Sequence, residues 1–384
     1  MPRPWPVRLA GWALALTLLA VAALVVTGRG SFAATTHTVA KRPLADDPGE
    51  PADAVTEVHR FPAGSHLVGP AVVRIGSHGA IAYDPDTGDE VWRYLRADAA
   101  VCAQRAEGTQ VVLLYRSGER CTEAIALDVR SGERRWQRTV EAAGQNTIVW
   151  NTGGFLSVDA AKMIVFEVNQ GYERFTLDNS TTDHIEGEHT SCENTAASGA
   201  TDVVTLQRCR ATDDEPWVAQ LVVNAASDGD PREVGRSYLT GIAGPELIGS
   251  LEDGTAYVRD SAGAVHVYAA GAATPVTVAG LPPVPADVRL LGARGGSMLT
   301  DGATVFRLDQ SGAHVAWSAT VVAPPSQRGN SLYLPTAGGI EVRAADTGQV
   351  TRTIAAALPP HAAEVTVGGP RIGVLRDDGL VVLR

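Results

Sequence analysis

Lysine is nearly missing from this chain. Lys41 and Lys162 are the only two within a Lys-plus-Arg total of 32, while Asp and Glu number 43, for a formal net charge of −11. An acidic chain without a Lys/Arg stripe is a poor nucleic-acid binder, because phosphate neutralisation supplies most non-specific affinity there. The acidity itself serves solubility. Cysteine is scarce as well: four in 384 residues, with no C-x-x-C and no adjacent pair, which argues against the usual zinc sites. G-x-S-x-G, H-E-x-x-H, G-x-G-x-x-G and a phosphate-loop lysine are all lacking, so no linear catalytic or nucleotide signature is present. Beyond residue 54 nothing reads as a long amphipathic helix.

Charge is also missing from Leu9 to Val26, "LAGWALALTLLAVAALVV", which follows Arg3 and Arg8. As a helix this run reaches roughly 27 Å, close to the ~30 Å hydrocarbon core of a bilayer. Basic residues ahead of it place residues 1–8 in the cytoplasm and the body outside. Residues 9–28 are therefore expected to be a transmembrane anchor or uncleaved signal. The competing reading is a signal peptide cut near "SFA", Ser31–Ala33; the run is longer than a usual signal core, and Trp12 suits a membrane interface. No cysteine precedes Cys102, which excludes lipid attachment at a cysteine. Residues 29–54 carry Pro, Ala and acid without hydrophobic periodicity and read as a disordered tether.

What the chain does have is repetition. "AIAYDPDTGDEVW", from Ala80, returns as "AIALDVRSGERRW", from Ala124. Each copy alternates as a strand does, turns at an Asx residue followed by glycine, and runs into a second strand with tryptophan. Asp84, Gly88 and Trp92 correspond to Asp128, Gly132 and Trp136. Weaker copies place Gly171 before Phe175, Gly229, Gly271, Gly312 before a Trp317 that comes one residue late, and Gly348. Successive glycines lie 44, 39, 58, 42, 41 and 36 residues apart. A four-stranded unit at forty-odd residues predicts an all-β fold, a β-propeller of antiparallel blades. Seven turns give seven blades. The chain closes on "RIGVLRDDGLVVLR", where "DDGLVVLR" reads as the third strand of an eighth blade, whose missing fourth is "VTEVHRFPAG", Val55–Gly64. Eight blades are expected, with seven as the alternative, in a single domain over 55–384 closed by its terminal strands.

The cysteines fit an exported body. Four allow three connectivities. Local pairing, Cys102 with Cys121 and Cys192 with Cys209, lets each pair meet at one rim of its blade; buried free thiols are the other reading.

The two strong copies resemble the PQQ-like, quinoprotein-alcohol-dehydrogenase-type propeller repeat. The likeness is specific in the first two blades, partial at Leu308–Trp317 and Val342–Val350, and faint between Gly171 and Gly271. The resemblance implies eight blades, and a blade-docking role for Trp92, Trp136 and Trp317. The quinoprotein dehydrogenases hold their cofactor beside adjacent cysteines and a calcium site, which this chain does not match, so no cofactor is expected. The closer likeness is to the non-enzymatic branch, which includes the propeller lipoprotein of outer-membrane β-barrel assembly.

Three stretches bear on chemistry. "DHIEGEHTSCENT" offers His184, Glu186, Glu188 and His189 as ligands for a divalent ion, although a polar loop of this composition is ordinarily solvated or a partner contact. "DPDTGDE", Asp84–Glu90, resembles a calcium loop but lacks its ligand set. "NST" at Asn179 matches a glycosylation acceptor. The expectation is a single-pass membrane protein whose monomeric, non-enzymatic propeller sits outside the cytoplasm as an interaction or assembly scaffold for envelope proteins. A small-molecule or glycan sensor and a propeller hydrolase or lyase are the alternatives.

Overall fold

Strands such as Gln110–Ser117 ("QVVLLYRS") are buried at six successive positions. A half-covered sheet would alternate; a continuous buried run requires neighbours on both faces. A computed structural model supplies them. It describes residues 34–140, 147–151, 154–178, 191–199, 202–226, 231–293, 296–358, 362 and 364–384, and the strands there form eight antiparallel sheets. Blades 1 to 7 span 65–96, 100–139, 147–178, 191–238, 246–277, 289–320 and 326–354. Blade 8 combines 364–383 with Glu57–Pro62. The first strands of the blades pack toward one another around the axis.

The ring closes as the terminal sequences predict. Arg60 pairs with Val381, Phe61 with Leu380 and Pro62 with Gly379, and Thr56 and Arg384 exchange backbone hydrogen bonds at 3.0 Å. The eighth sheet thereby gains its outer strand, and no free edge remains at the chain's end.

The core is divided among the blade boundaries. Val73, Trp92 and Leu113 belong to the cluster between blades 1 and 2. Phe61, Leu67, Val72, Leu380 and Val382 form the one between blades 8 and 1. Eight such clusters occupy the eight boundaries. No blade buries its faces alone, so the hydrophobic contribution of each depends on its neighbours.

Residues 34–54 differ from the expected disordered tether. Thr35–Thr38 adds a fifth strand to blade 1 by pairing with Arg93–Arg96. The chain then crosses the ring, Ala40 and Leu44 donating to Ser131 O and Arg130 O, before Val55 enters the cluster between blades 7 and 8. Composition without periodicity does not reveal an extended segment that docks through its backbone. Residues 1–8 and the anchor at 9–28 lie outside the described residues; among those described, no helix is long and apolar enough to cross a membrane.

Both local disulfides form. Cys192 and Cys209 are direct cross-strand partners with Cα atoms 4.2 Å apart. Cys102 and Cys121 sit on the first and third strands of blade 2, two strands apart, where Cα separations near 9–10 Å are usual. The ladder skips Cys102 between Val101 and Ala103 and shifts again beside Cys121, and these bulges bring the Cα atoms to 6.0 Å.

Candidate functional site

The repeated turns position everything else. Asp84 Oδ1 accepts from the backbone N–H of Asp86 at 2.8 Å, and Asp128 Oδ1 from that of Arg130 at 2.9 Å. Gly132 follows with φ of +71°, and a methyl group there would meet Trp92 of the preceding blade at 2.5 Å. Trp92 Nε1 donates to Val129 O at 2.8 Å, and Trp136 Nε1 to Val168 O at 2.8 Å. Around the ring the pattern repeats: Trp136 lies on Gly171, Tyr257 on Gly312, Trp317 on Gly348 and His59 on Gly88. Trp317 is not late. Trp92, Trp136, Phe175 and Trp317 each stand eight residues past an acidic turn residue, Asp84, Asp128, Glu167 or Asp309. In blade 6 the glycine comes one residue early, its N–H reaching Asp309 O, whereas Gly88 and Gly132 each reach back four residues.

The first turn does more than reverse the chain. Arg371 of blade 8 grips both oxygens of Asp86, at 2.8 and 2.6 Å, and Arg384 adds a contact at 2.6 Å. The bidentate Arg371 hydrogen bond holds the Asp86 carboxyl below its ordinary pKa, with the Arg384 charge adding to the effect. The carboxylate that made this turn resemble a calcium loop is thus already paired, and it locks blade 1 to blade 8.

Hairpins joining first to second strands and third to fourth strands emerge on one face of the ring. At the axis on that face, blades 1, 2, 7 and 8 enclose a cleft of about 840 Å³ with residues 46–48 across it. Arg105, Arg328, Arg371, His66, Glu364 and Asp47 are among its lining residues. Arg328 Nη1 donates to Gly49 O at 2.6 Å and Gly369 O at 3.0 Å. The geometry suits binding: an axial recess with cations drawn from several blades, bridged by a strap of the chain itself. Both disulfides lie on the opposite face. No linear motif signals the cleft, because its parts stand nearly three hundred positions apart, as Arg328 and Pro48 do at 280.

Other predicted sites fall elsewhere. His184, Glu186, Glu188, His189, the Asn179 triplet and Gly229 lie outside the described residues. Among the described residues no group of three or more His, Cys, Asp and Glu is placed to hold a metal. The residues do not fit the quinoprotein cofactor: all four cysteines are committed to two disulfides between non-adjacent positions.

Residues 61–177 match the family model described as outer membrane protein assembly factor BamB. They span blades 1 to 3. These blades are PQQ-like propeller repeats. Solved structures similar to this chain include BamB from Moraxella catarrhalis, at 13% identity and TM-score 0.48, covering 86% of this chain and 99% of that one. The computationally designed Ika8 protein matches at 13% identity and TM-score 0.49, covering 88% and 99%. The C-terminal WD40 domain of Sif2 matches at 10% identity and TM-score 0.49, covering 86% and 98%. No curated protein sequence matches.

Proposed function

We propose that this protein is a membrane-tethered, extracytoplasmic β-propeller that works as an interaction or assembly scaffold in the cell envelope. The observation that carries the reading is the match of blades 1 to 3 to a family model named for an outer membrane assembly factor. Two disulfides support an oxidising compartment, and the uncharged run from Leu9 to Val26 supports the tether. A ring closed by its own termini offers two rigid faces, the kind of platform on which partner surfaces can be held at fixed separation.

Crosslinking in intact cells, followed by capture of the propeller and identification of attached proteins, tests the scaffold role. Recovery of one or a few specific envelope proteins is expected; recovery of none contradicts it. Mass measurement of the mature N-terminus tests the tether. An intact N-terminal segment is expected, and cleavage near Ala33 contradicts anchoring.

A further inference from the structure

Residues 45–53, "ADDPGEPAD", lie on the ring as an extended acidic segment, and arginines hold much of it. Arg130 Nη1 contacts Asp46 at 2.9 Å while its Nε donates to Leu44 O at 2.7 Å. Arg328 donates to Gly49 O at 2.6 Å and Pro48 O at 3.2 Å. Arg352 reaches Pro51 O at 2.8 Å, Glu50 at 2.9 Å and Asp53 at 3.2 Å. Guanidinium groups placed on carboxylates and backbone carbonyls are how a groove takes an extended acidic peptide.

Two asymmetries mark this segment as a ligand rather than a part of the core. Three of its four carboxylates stay in water: Asp46, Glu50 and Asp53 side chains are 67%, 62% and 83% exposed, whereas Arg352 is 25% exposed; Asp47 alone is half-buried, in the lining of the cleft. Pairs of this kind contribute little each, so the strap is held by many weak contacts. The second observation is independent. Arg371, only 8% exposed, lines the same cleft, and its buried Nη1 has no hydrogen-bond partner. An unmet donor on a buried cation is costly, and residues 45–53 do not supply its acceptor.

We propose that the axial cleft, with Arg130 and Arg352 beyond its lining, is a binding site for an extended acidic segment of a partner protein, and that residues 45–53, of which 46–48 cross the cleft, occupy this site in cis as an internal competitor. This rests on the scaffold reading and names the face and the chemistry of its ligand. A tethered competitor acts at an effective concentration in the millimolar range, so a partner segment binds well only once the strap has lifted.

The test uses the full-length protein in detergent and a fluorescently labelled synthetic peptide of residues 43–53. Fluorescence anisotropy should show the Asp46→Ala/Glu50→Ala/Asp53→Ala protein binding the peptide ~10-fold or more tighter than the unsubstituted protein. Adding Arg328→Ala and Arg352→Ala should abolish that gain, and a peptide with Asn or Gln at its four acidic positions should not bind. Equal affinity of both proteins, or binding that survives loss of the arginines or of peptide charge, overturns the proposal. A second readout needs no substitution. Millimolar peptide should speed amide hydrogen exchange at Ala40 and Leu44 of the unsubstituted protein, and unchanged exchange there overturns the proposal as well. If crosslinking in cells recovers partners while the peptide fails, the site is wrong and the scaffold reading stands.

Discussion

Gly132 and Trp92 show how one contact, repeated, builds a ring. The glycine takes a backbone conformation that L side chains rarely adopt, and its missing side chain makes room for the indole. Gly132→Ala should cost about 1–3 kcal/mol and Trp92→Ala about 3–5 kcal/mol. The double variant should cost less than the two together by at least ~0.5 kcal/mol, since the clash disappears with the indole. Urea unfolding of all three measures this; strict additivity contradicts the docking. Gly118, with φ of +63° and nothing within 4 Å of an added methyl, is the control that reports backbone strain alone. Asp86 makes a second residue-level prediction. Its folded pKa is lowered, so its stabilisation is complete above the ordinary carboxylate value and is lost as pH falls through the folded one. The stability gap between unsubstituted protein and Asp86→Asn should therefore be widest near neutrality and close in acid. A gap independent of pH contradicts the Arg371–Asp86–Arg384 lock.

At the scale of strands and turns, the hairpins were the most legible elements, because a tight reversal demands an Asx residue and a glycine at set spacing and a boundary demands an aromatic behind it. The same logic explains why blades 4 and 5 read faintly. Where the tryptophan is replaced by a close backbone approach, as between Gly235 and Gly271, no large residue marks the boundary. The strap was illegible for a different reason. Its partners Arg130, Arg328 and Arg352 belong to blades 2 and 7, and nothing in "ADDPGEPAD" encodes which arginines it meets. The disulfide pairing was legible from strand order, but the bulges that bring Cys102 to Cys121 were not. The Cys192–Cys209 bridge ties neighbouring strands of blade 4, and in the chain-entropy model a loop of this size contributes about 3 kcal/mol. Replacing both residues with Ala should lower stability by ~2–4 kcal/mol in calorimetry or denaturant unfolding; no loss contradicts a structural role.

For the whole molecule, cooperativity follows from where the core lies. Every apolar cluster spans two blades, so opening one boundary exposes a core face on each side. Deleting residues 379–384 removes the partner of Glu57–Pro62 and breaks the ring at blade 8. The expected result is loss of the sharp unfolding transition and association through exposed edges in size-exclusion chromatography; a monomer with unchanged unfolding contradicts closure. The same architecture leaves the axial cleft as the place where four blades and the strap converge. Its role as a partner-binding face is tested most directly by photo-crosslinking in intact cells from single positions on the two faces. A photoreactive residue at Gln104 or Gln327, which line the cleft, should capture a specific envelope protein. One at Glu119, in a hairpin on the opposite face, should not. Absence of any specific adduct from both cleft positions would contradict the account.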